Sequence, residues 1–450
     1  MPPPRTSLDS AALADAAQLV RQANLTFARR YPGEVAGRQP VHSVYGGAQL
    51  FNAQTPRKVG ELAMRALREF APDAATLGRA LAISDHPALE TIHKRVVEKL
   101  TREAVEDYRI DFEDGYGNRG DATEDGHAID VANALAAARK EGALSPFIGI
   151  RVKPLNEEMR SRSVRTLDLV LTRLVETADG TSGLPAGFVV TLPKITIVEQ
   201  VEFATRVFSR LERTLGFGNG TLRFEIMVET PQIILGADGR SPLPRMLDAS
   251  EGRLSGAHFG TYDYTAGVSI TAAYQRMRHP ACEHAKQVMQ TAFAGTGVWL
   301  SDGSTTVLPV PVHRGESLSS QQREENERCV HHAWKLHFDD VRHSLEGGFY
   351  QGWDLHPAQI VSRYAALYSF FLEGIEAAGA RLSNFVKKAA QATLVGDVFD
   401  DAATGQGLLN FFLRGINSGA ITEDEAMAMT SLTPAELRGR SFVKIMQARV

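Results

Sequence analysis

From residue 41 onward the chain repeats one pattern: a short apolar run, a turn with polar or glycine residues, then a long amphipathic stretch. Short apolar runs rich in branched and aromatic side chains, closed by Gly or Pro, are the mark of strands buried on both faces. Their alternation with amphipathic helices is the pattern of a parallel sheet. Eight such runs stand at 41–51, 107–112, 147–152, 188–192, 222–228, 254–259, 298–308 and 349–355. Eight strand–helix units close into a (β/α)8 TIM barrel, an α/β fold. Helices fit between the runs at 56–70, 125–140, 198–214 and 318–344, with an eighth at 357–378. The seventh strand has the weakest pattern, because Gly295 and Gly297 precede it and Gly303 interrupts it.

The ends of the chain read differently. A loose tail leads into a capped helix over 7–31, and beyond 378 the pattern is helical only, at 381–395, 405–417, 422–429 and 434–447. The expected division is an N-terminal helical extension (1–40), the barrel (41–378) and a C-terminal all-helical cap (379–450) packed on the barrel mouth.

Composition narrows the ligand class. With 43% hydrophobic and 23% charged residues the chain is ordinary for a folded soluble protein. Its 49 basic and 53 acidic residues leave a net charge of -4, which gives no electrostatic reason to expect nucleic acid or an anionic membrane. Cys282 and Cys329 form neither a disulfide framework nor a zinc pattern. No run approaches the ~20 apolar residues of a membrane span, and the start lacks a secretory core. The expectation is a cytoplasmic protein with small-molecule ligands.

In parallel α/β folds ligands bind at the C-terminal ends of the strands, so the polar residues just past each apolar run are the candidates. The second run ends in Asp111-Phe112-Glu113-Asp114-Gly115, where period-two alternation puts Asp111 and Glu113 on one side. The cluster is either a solvated acidic turn or a group that needs cations or donors nearby. The third ends in Arg151-Val152-Lys153, where a guanidinium could clamp a substrate carboxylate or pair with the acids at 111–114. The fourth ends in Lys194, which could neutralise charge beside the site or partner a carboxylate structurally.

The fifth and sixth runs end in Glu229 and Asp263, two carboxylates from adjacent strand ends that could share a magnesium ion and leave positions for water and substrate oxygens. Gly260, followed by Thr261, would let backbone N–H groups come close to a bound anion. After the eighth run, His356 could face the site, although a role in holding its loop is favoured. Other signals weaken on inspection. His279-Pro280-Ala281-Cys282-Glu283-His284 lies away from a strand end, His331, His332, His337 and His343 read as a solvated helix face, and Gly216–Gly220 is a turn that opens no helix.

With these residues in place the chain resembles the superfamily that joins the citrate lyase β subunit, malyl-CoA lyase and malate synthase. The match runs in order through Asp111-Phe112-Glu113-Asp114, Ile150-Arg151-Val152, Leu192-Pro193-Lys194, Val228-Glu229-Thr230-Pro231, Phe259-Gly260-Thr261-Tyr262-Asp263 and Leu355-His356-Pro357-Ala358-Gln359. The resemblance implies that Arg151 binds the carboxylate of a 2-oxo acid, that Glu229 and Asp263 hold magnesium, and that Asp111 and Glu113 hold metal-bound water. Phe399-Asp400-Asp401-Ala402-Ala403-Thr404 resembles the malate synthase segment that carries the catalytic base, which implies that role for Asp401.

The implied activity is a carbon–carbon lyase or Claisen-type synthase. It would join or split a small 2-oxo or hydroxy acid and an acyl-CoA partner through an enolate, and a homo-oligomer is a further expectation. Two alternatives stand beside it: a coenzyme-independent aldolase of the same fold that uses a pyruvate enolate, and a non-catalytic sensor that keeps the metal and carboxylate site.

Overall fold

The computed structural model describes residues 13–33, 37–178, 183–315, 317–387, 393–395, 398–400 and 402–449. Eight parallel strands form the sheet: β1 (His42–Gly47), β2 (Asp107–Asp111), β3 (Phe147–Arg151), β4 (Phe188–Leu192), β5 (Arg223–Val228), β6 (Leu254–Phe259), β7 (Trp299–Ser301) and β8 (Gly352–Asp354). Each strand pairs with its sequence neighbour and β1 also pairs with β8, giving the order β7-β6-β5-β4-β3-β2-β1-β8. The seam between β7 and β8 is closed just past β7, where Asp302 N donates to Gln351 O at 2.8 Å and Trp353 N donates to Gly303 O at 3.0 Å. The expected eight-stranded barrel is therefore present. Its seventh and eighth strands are shorter than their apolar runs, and the glycine the pattern flagged, Gly303, sits at the closing seam.

Helices alternate with the strands, as in Asp121–Glu141, Val198–Leu215 and Ser320–Glu346. Between β1 and β2 the chain makes three helices rather than one: Thr55–Phe70, Ala74–Leu81 and Leu89–Glu103. The helix Gln359–Glu373 is buried along most of its length because it packs against several of the others. The histidines of Ser320–Glu346 do not share one solvated face: His332 is exposed, but His337 and His331 are engaged. His337 is buried with its Nδ1 2.8 Å from Ser362 Oγ, and His331 stacks on Trp334.

The barrel interior is charged rather than aliphatic. Arg109 lies fully inside and pairs with Asp107 at 2.9 Å and Glu225 at 3.0 Å. Gly149 makes room for it, since a Cβ there would meet Val189 O at 2.0 Å and Arg109 Nη1 at 2.5 Å. Glu225 is also 2.7 Å from His258 Nε2, while Trp353 Nε1 donates to His258 Nδ1 at 3.3 Å. The His258 ring therefore spans the interior between Trp353 and Glu225.

The C-terminal region is helical, with helices Ile375–Lys387, Ala402–Asn417, Glu423–Thr430, Pro434–Gly439 and Phe442–Arg449. It also contains an antiparallel strand pair, Thr393–Val395 with Val398–Asp400, where the helical pattern had extended to 395. Its place corrects an expectation, because it docks on the N-terminal end of the barrel rather than on the mouth. Asn417 exchanges two hydrogen bonds with the backbone of Gln39, at 3.1 and 2.8 Å, and Arg414 donates to Gln39 Oε1 at 2.8 Å. Gln39 precedes β1 and donates to Leu300 O, so it belongs to the end of the barrel where strands begin. The reason is topological: helix Gln359–Glu373 runs back to that end, and helix Ile375–Lys387 follows after only Gly374.

Among the described residues no helix is long and apolar enough to cross a membrane.

Candidate active site

The C-terminal ends of β2 to β6 bring together most of the strand-end residues read from the sequence. Glu229 follows β5 and is buried at 3% exposure, whereas the Asp263 side chain at the first turn after β6 is 44% exposed. Burial, then the charge of Asp263, pushes the Glu229 carboxyl up to about 8. Glu229 Oε1 accepts from Lys194 N at 2.7 Å. Lys194 itself adopts φ +50°, a left-handed conformation uncommon outside glycine. Gly260 lies against the same carboxylate, and a Cβ there would come within 2.3 Å of Glu229 Oε2.

The Lys194 ammonium stands among the acids. It donates to Glu113, lies 3.2 Å from Asp114 and lies 3.6 Å from Asp263. Burial opposes its charge, and the carboxylates of Glu113, Glu229 and Asp263 more than offset that, so its pKa is raised. Of the acids after β2, Asp111 and Glu113 are buried and paired, whereas Asp114 is exposed. Asp114, which the sequence reading placed only within a cluster, is a partner of Lys194.

Arg151 is held by those acids. Its Nε and Nη2 donate to the two Asp111 oxygens at 2.7 and 2.5 Å, and Nη1 is 3.3 Å from Glu113. Asp111 also accepts from Glu113 N at 2.9 Å and Gly115 N at 2.7 Å, so it shapes the turn as well as fixing the guanidinium. Two rings that the sequence did not single out complete the clamp. Tyr45 lies 4.8 Å and Trp353 5.9 Å from the guanidinium carbon. Tyr45 follows Ser43 by two on β1, so the inward period of that strand was the available signal. Of the two openings for Arg151, a substrate clamp or an ion pair with its own acids, the structure holds the ion pair and leaves the Nη1 edge less engaged.

Thr261 is buried and its Oγ1 lacks a hydrogen-bond partner, facing Gly303. His356 is turned to its own loop: its Nδ1 accepts from Ala358 N at 3.2 Å, and burial lowers its pKa. Asp401 lies outside the described residues. The helix directly after it, Ala402–Asn417, is the one docked on the far end of the barrel.

A cavity of about 330 Å3 opens at the mouth, lined by Glu229, Asp263 and Lys194 together with Asn156, Thr196 and Gln200. It falls at the small end of the range for small-molecule sites. Two larger cavities, of about 870 and 700 Å3, lie between peripheral helices. Among the described residues no group of three or more His, Cys, Asp or Glu side chains is arranged to hold a metal ion. The available donor set is two carboxylates, of which Glu229 is destabilised as an anion by its burial and then by Asp263. Hard oxygen donors in that number suit a cation that keeps waters and substrate oxygens as its other ligands.

The sequence model of a family described as a domain of unknown function, DUF6986, matches residues 20–445. No curated protein sequence matches the chain. Among solved structures, a citrate lyase from Burkholderia xenovorans LB400 is similar at 18% identity and a TM-score of 0.55, over 89% of this chain and 98% of that one. At that identity the likeness is one of fold. The magnesium/glyoxylate complex of Haloferax volcanii malate synthase aligns at 12% identity and a TM-score of 0.48, over 90% and 97%. The citrate lyase β subunit from M. tuberculosis, complexed with oxaloacetate and magnesium, aligns at 14% and 0.38, over 74% and 98%.

Proposed function

We propose, for a chain that belongs to the DUF6986 family, a magnesium-dependent carbon–carbon lyase or synthase that acts on a small 2-oxo or hydroxy acid with an acyl-CoA partner. The observation that carries this reading is the pair Glu229 and Asp263: one carboxyl buried and pushed up in pKa by that burial and then by its neighbour, the other at the rim, both on the wall of a cavity the size of a small acid. Glu229 and Asp263 would hold the ion. Magnesium, when bound, supplies Lewis-acid polarisation of the 2-oxo carbonyl.

The chain's own residues supply the rest. Lys194 donates its backbone N–H to Glu229 and so fixes that carboxylate, while its ammonium holds Glu113 and balances the acid cluster. Arg151 would offer its Nη1 edge to the acid's carboxylate, already oriented by Asp111, Tyr45 and Trp353, so little ordering is left to the binding step. The N–H groups near Gly260 and the unpartnered Thr261 hydroxyl would add donors on the β6 side. Asp111 and Glu113 would orient water, and His356 would hold the β8 loop.

Asp401 would take the proton from the carbon next to the thioester. The enolate carbon then attacks the carbonyl carbon, the C=O π pair moves to oxygen, and that oxygen takes a proton from water to give a 3-hydroxyacyl thioester; the reverse steps cleave it. A homo-oligomer belongs to this reading as well. The barrel (41–378) would carry the reaction, with 1–40 and 379–450 as appendages. Unpaired Cys282 and Cys329 suit a cytoplasmic location.

One observation favours the second reading, a coenzyme-independent aldolase: about 330 Å3 admits a small acid but not a coenzyme A molecule. Mass spectrometry of mixtures of acetyl-CoA with glyoxylate or pyruvate, and of pyruvate with an aldehyde, separates the readings. Magnesium-dependent coupling that is lost with chelator and in Asp401→Asn supports the synthase. Coupling without any thioester supports the aldolase, and bound acid with no product in any mixture supports a sensor.

A further inference from the structure

Lys194 meets the two proposed metal ligands with both of its ends. Its backbone N–H donates to Glu229 Oε1 at 2.7 Å, and its ammonium lies 3.6 Å from Asp263 Oδ2. The same ammonium donates to Glu113 and lies 3.2 Å from Asp114. Its side chain is 29% exposed and lines the mouth cavity beside Glu229 and Asp263, so its charge acts within the mouth. Acids gathered this closely need positive charge nearby, and Lys194 supplies it from inside the chain.

The three carboxylates around the ammonium differ. Glu113 is buried, whereas the side chains of Asp114 and Asp263 are 61% and 44% exposed. The contact with Asp263 is the longest of the three. Lys194 can therefore give up Asp263 and still keep a buried partner and an exposed one.

We infer that Lys194 is a resident counter-cation that competes with magnesium for the Glu229–Asp263 pair and thereby sets how tightly the metal is held. The inference rests on the reading that those two carboxylates hold the ion. In the metal-free chain the ammonium offsets the repulsion among the acids and so favours the folded mouth. Towards a divalent ion on Asp263 the same ammonium is a like charge. At the dielectric of water, a divalent and a monovalent cation about 6 Å apart repel by about tenfold in a binding constant, and by more where solvent is partly excluded. One side chain thus stabilises the empty site and weakens the metal, two effects of opposite sign. A purely structural lysine would give only the first.

The backbone of Lys194, at φ +50°, decides which substitutions test this. Asparagine and glycine tolerate the left-handed region, so Lys194→Asn and Lys194→Gly remove the ammonium and keep the N–H for Glu229. Glycine also adds no oxygen that could itself bind the metal. Calorimetric titration of the full chain with magnesium chloride, paired with melting of the metal-free protein, reads both effects. Both neutral variants should melt lower than the parent without metal and bind magnesium about tenfold more tightly or better. Lys194→Arg, which keeps the charge, should stay near the parent in affinity. Because Glu113 loses a partner in the neutral variants, Glu113→Gln/Lys194→Asn is compared with Glu113→Gln alone, and the double variant should again bind the metal more tightly. Magnesium held no more tightly by either neutral variant or by the double variant would overturn the inference and leave the metal site standing. Equal binding in the parent and Glu229→Gln, or no binding in any chain, would remove the metal reading and this inference with it.

Discussion

Glu229 provides the sharpest test of the mouth, because its carboxyl titrates where a folding experiment can follow it. Its pKa rises from 4.5 to about 8 because it is buried and faces Asp263. The sign follows from linkage. Below about pH 4.5 the carboxyl is protonated in both folded and unfolded chains and costs nothing. Between about 4.5 and 8 the unfolded chain has lost the proton while the folded chain keeps it, so stability falls as pH rises, by about 1.4 kcal/mol per unit. Above about 8 the loss levels off at a total on the order of 5 kcal/mol. Glu229→Gln, which keeps the shape and removes the charge, should erase this slope and leave the metal-free protein more stable than the parent at alkaline pH. Magnesium competes with the same proton, so its stabilising effect on the parent should grow as pH rises towards about 8 and be absent in the variant. Urea unfolding across this range, with chelator and then with magnesium, measures both. An unchanged slope in Glu229→Gln, or an equal magnesium effect in parent and variant, would refute the reasoning.

The other predictions rest on contacts around the same mouth and the barrel interior. Gly260→Ala puts a Cβ 2.3 Å from Glu229 Oε2 and should remove the magnesium-induced melting shift while costing about 1 to 3 kcal/mol in urea. Arg151→Leu strands Asp111 in the interior and should cost about 3 to 5 kcal/mol. Pairing it with Asp111→Leu should recover part but not all of that loss, since Asp111 also accepts from Glu113 N and Gly115 N. Gly149→Ala, whose Cβ would meet the Val189 carbonyl oxygen at 2.0 Å, should cost about 3 kcal/mol or more, seen as a lower urea midpoint.

The barrel was legible because each strand is an apolar run followed by an amphipathic helix, and the strand ends followed from it. Glu229, Asp263, Lys194, Arg151, Asp111 and Glu113 meet at the mouth because parallel strands deliver their last residues to one face. Pairing was less legible than position. Nothing along the chain indicates that Asp111 takes both forks of Arg151, or that Tyr45 and Trp353 flank it, because those contacts join strands distant in sequence. The C-terminal helices were identifiable by period, yet period does not say on which end of a barrel a helix docks. Asn417 and Gln39, whose bonds decide that question, are an ordinary amide pair 378 residues apart. His337 reads as polar in a polar helix and is buried because Ser362 and Asp354 are waiting for it.

The central claim is that the mouth performs magnesium-dependent carbon–carbon chemistry on a 2-oxo acid. The most direct measurement is mass spectrometry of product from glyoxylate and acetyl-CoA, and from pyruvate alone or with an aldehyde, run with magnesium and with chelator on the parent and on Glu229→Gln. The account predicts a new carbon–carbon-bonded product that requires magnesium and disappears in Glu229→Gln. Product that persists with chelator and in the variant, or no product from any mixture while the fold is intact, would contradict it.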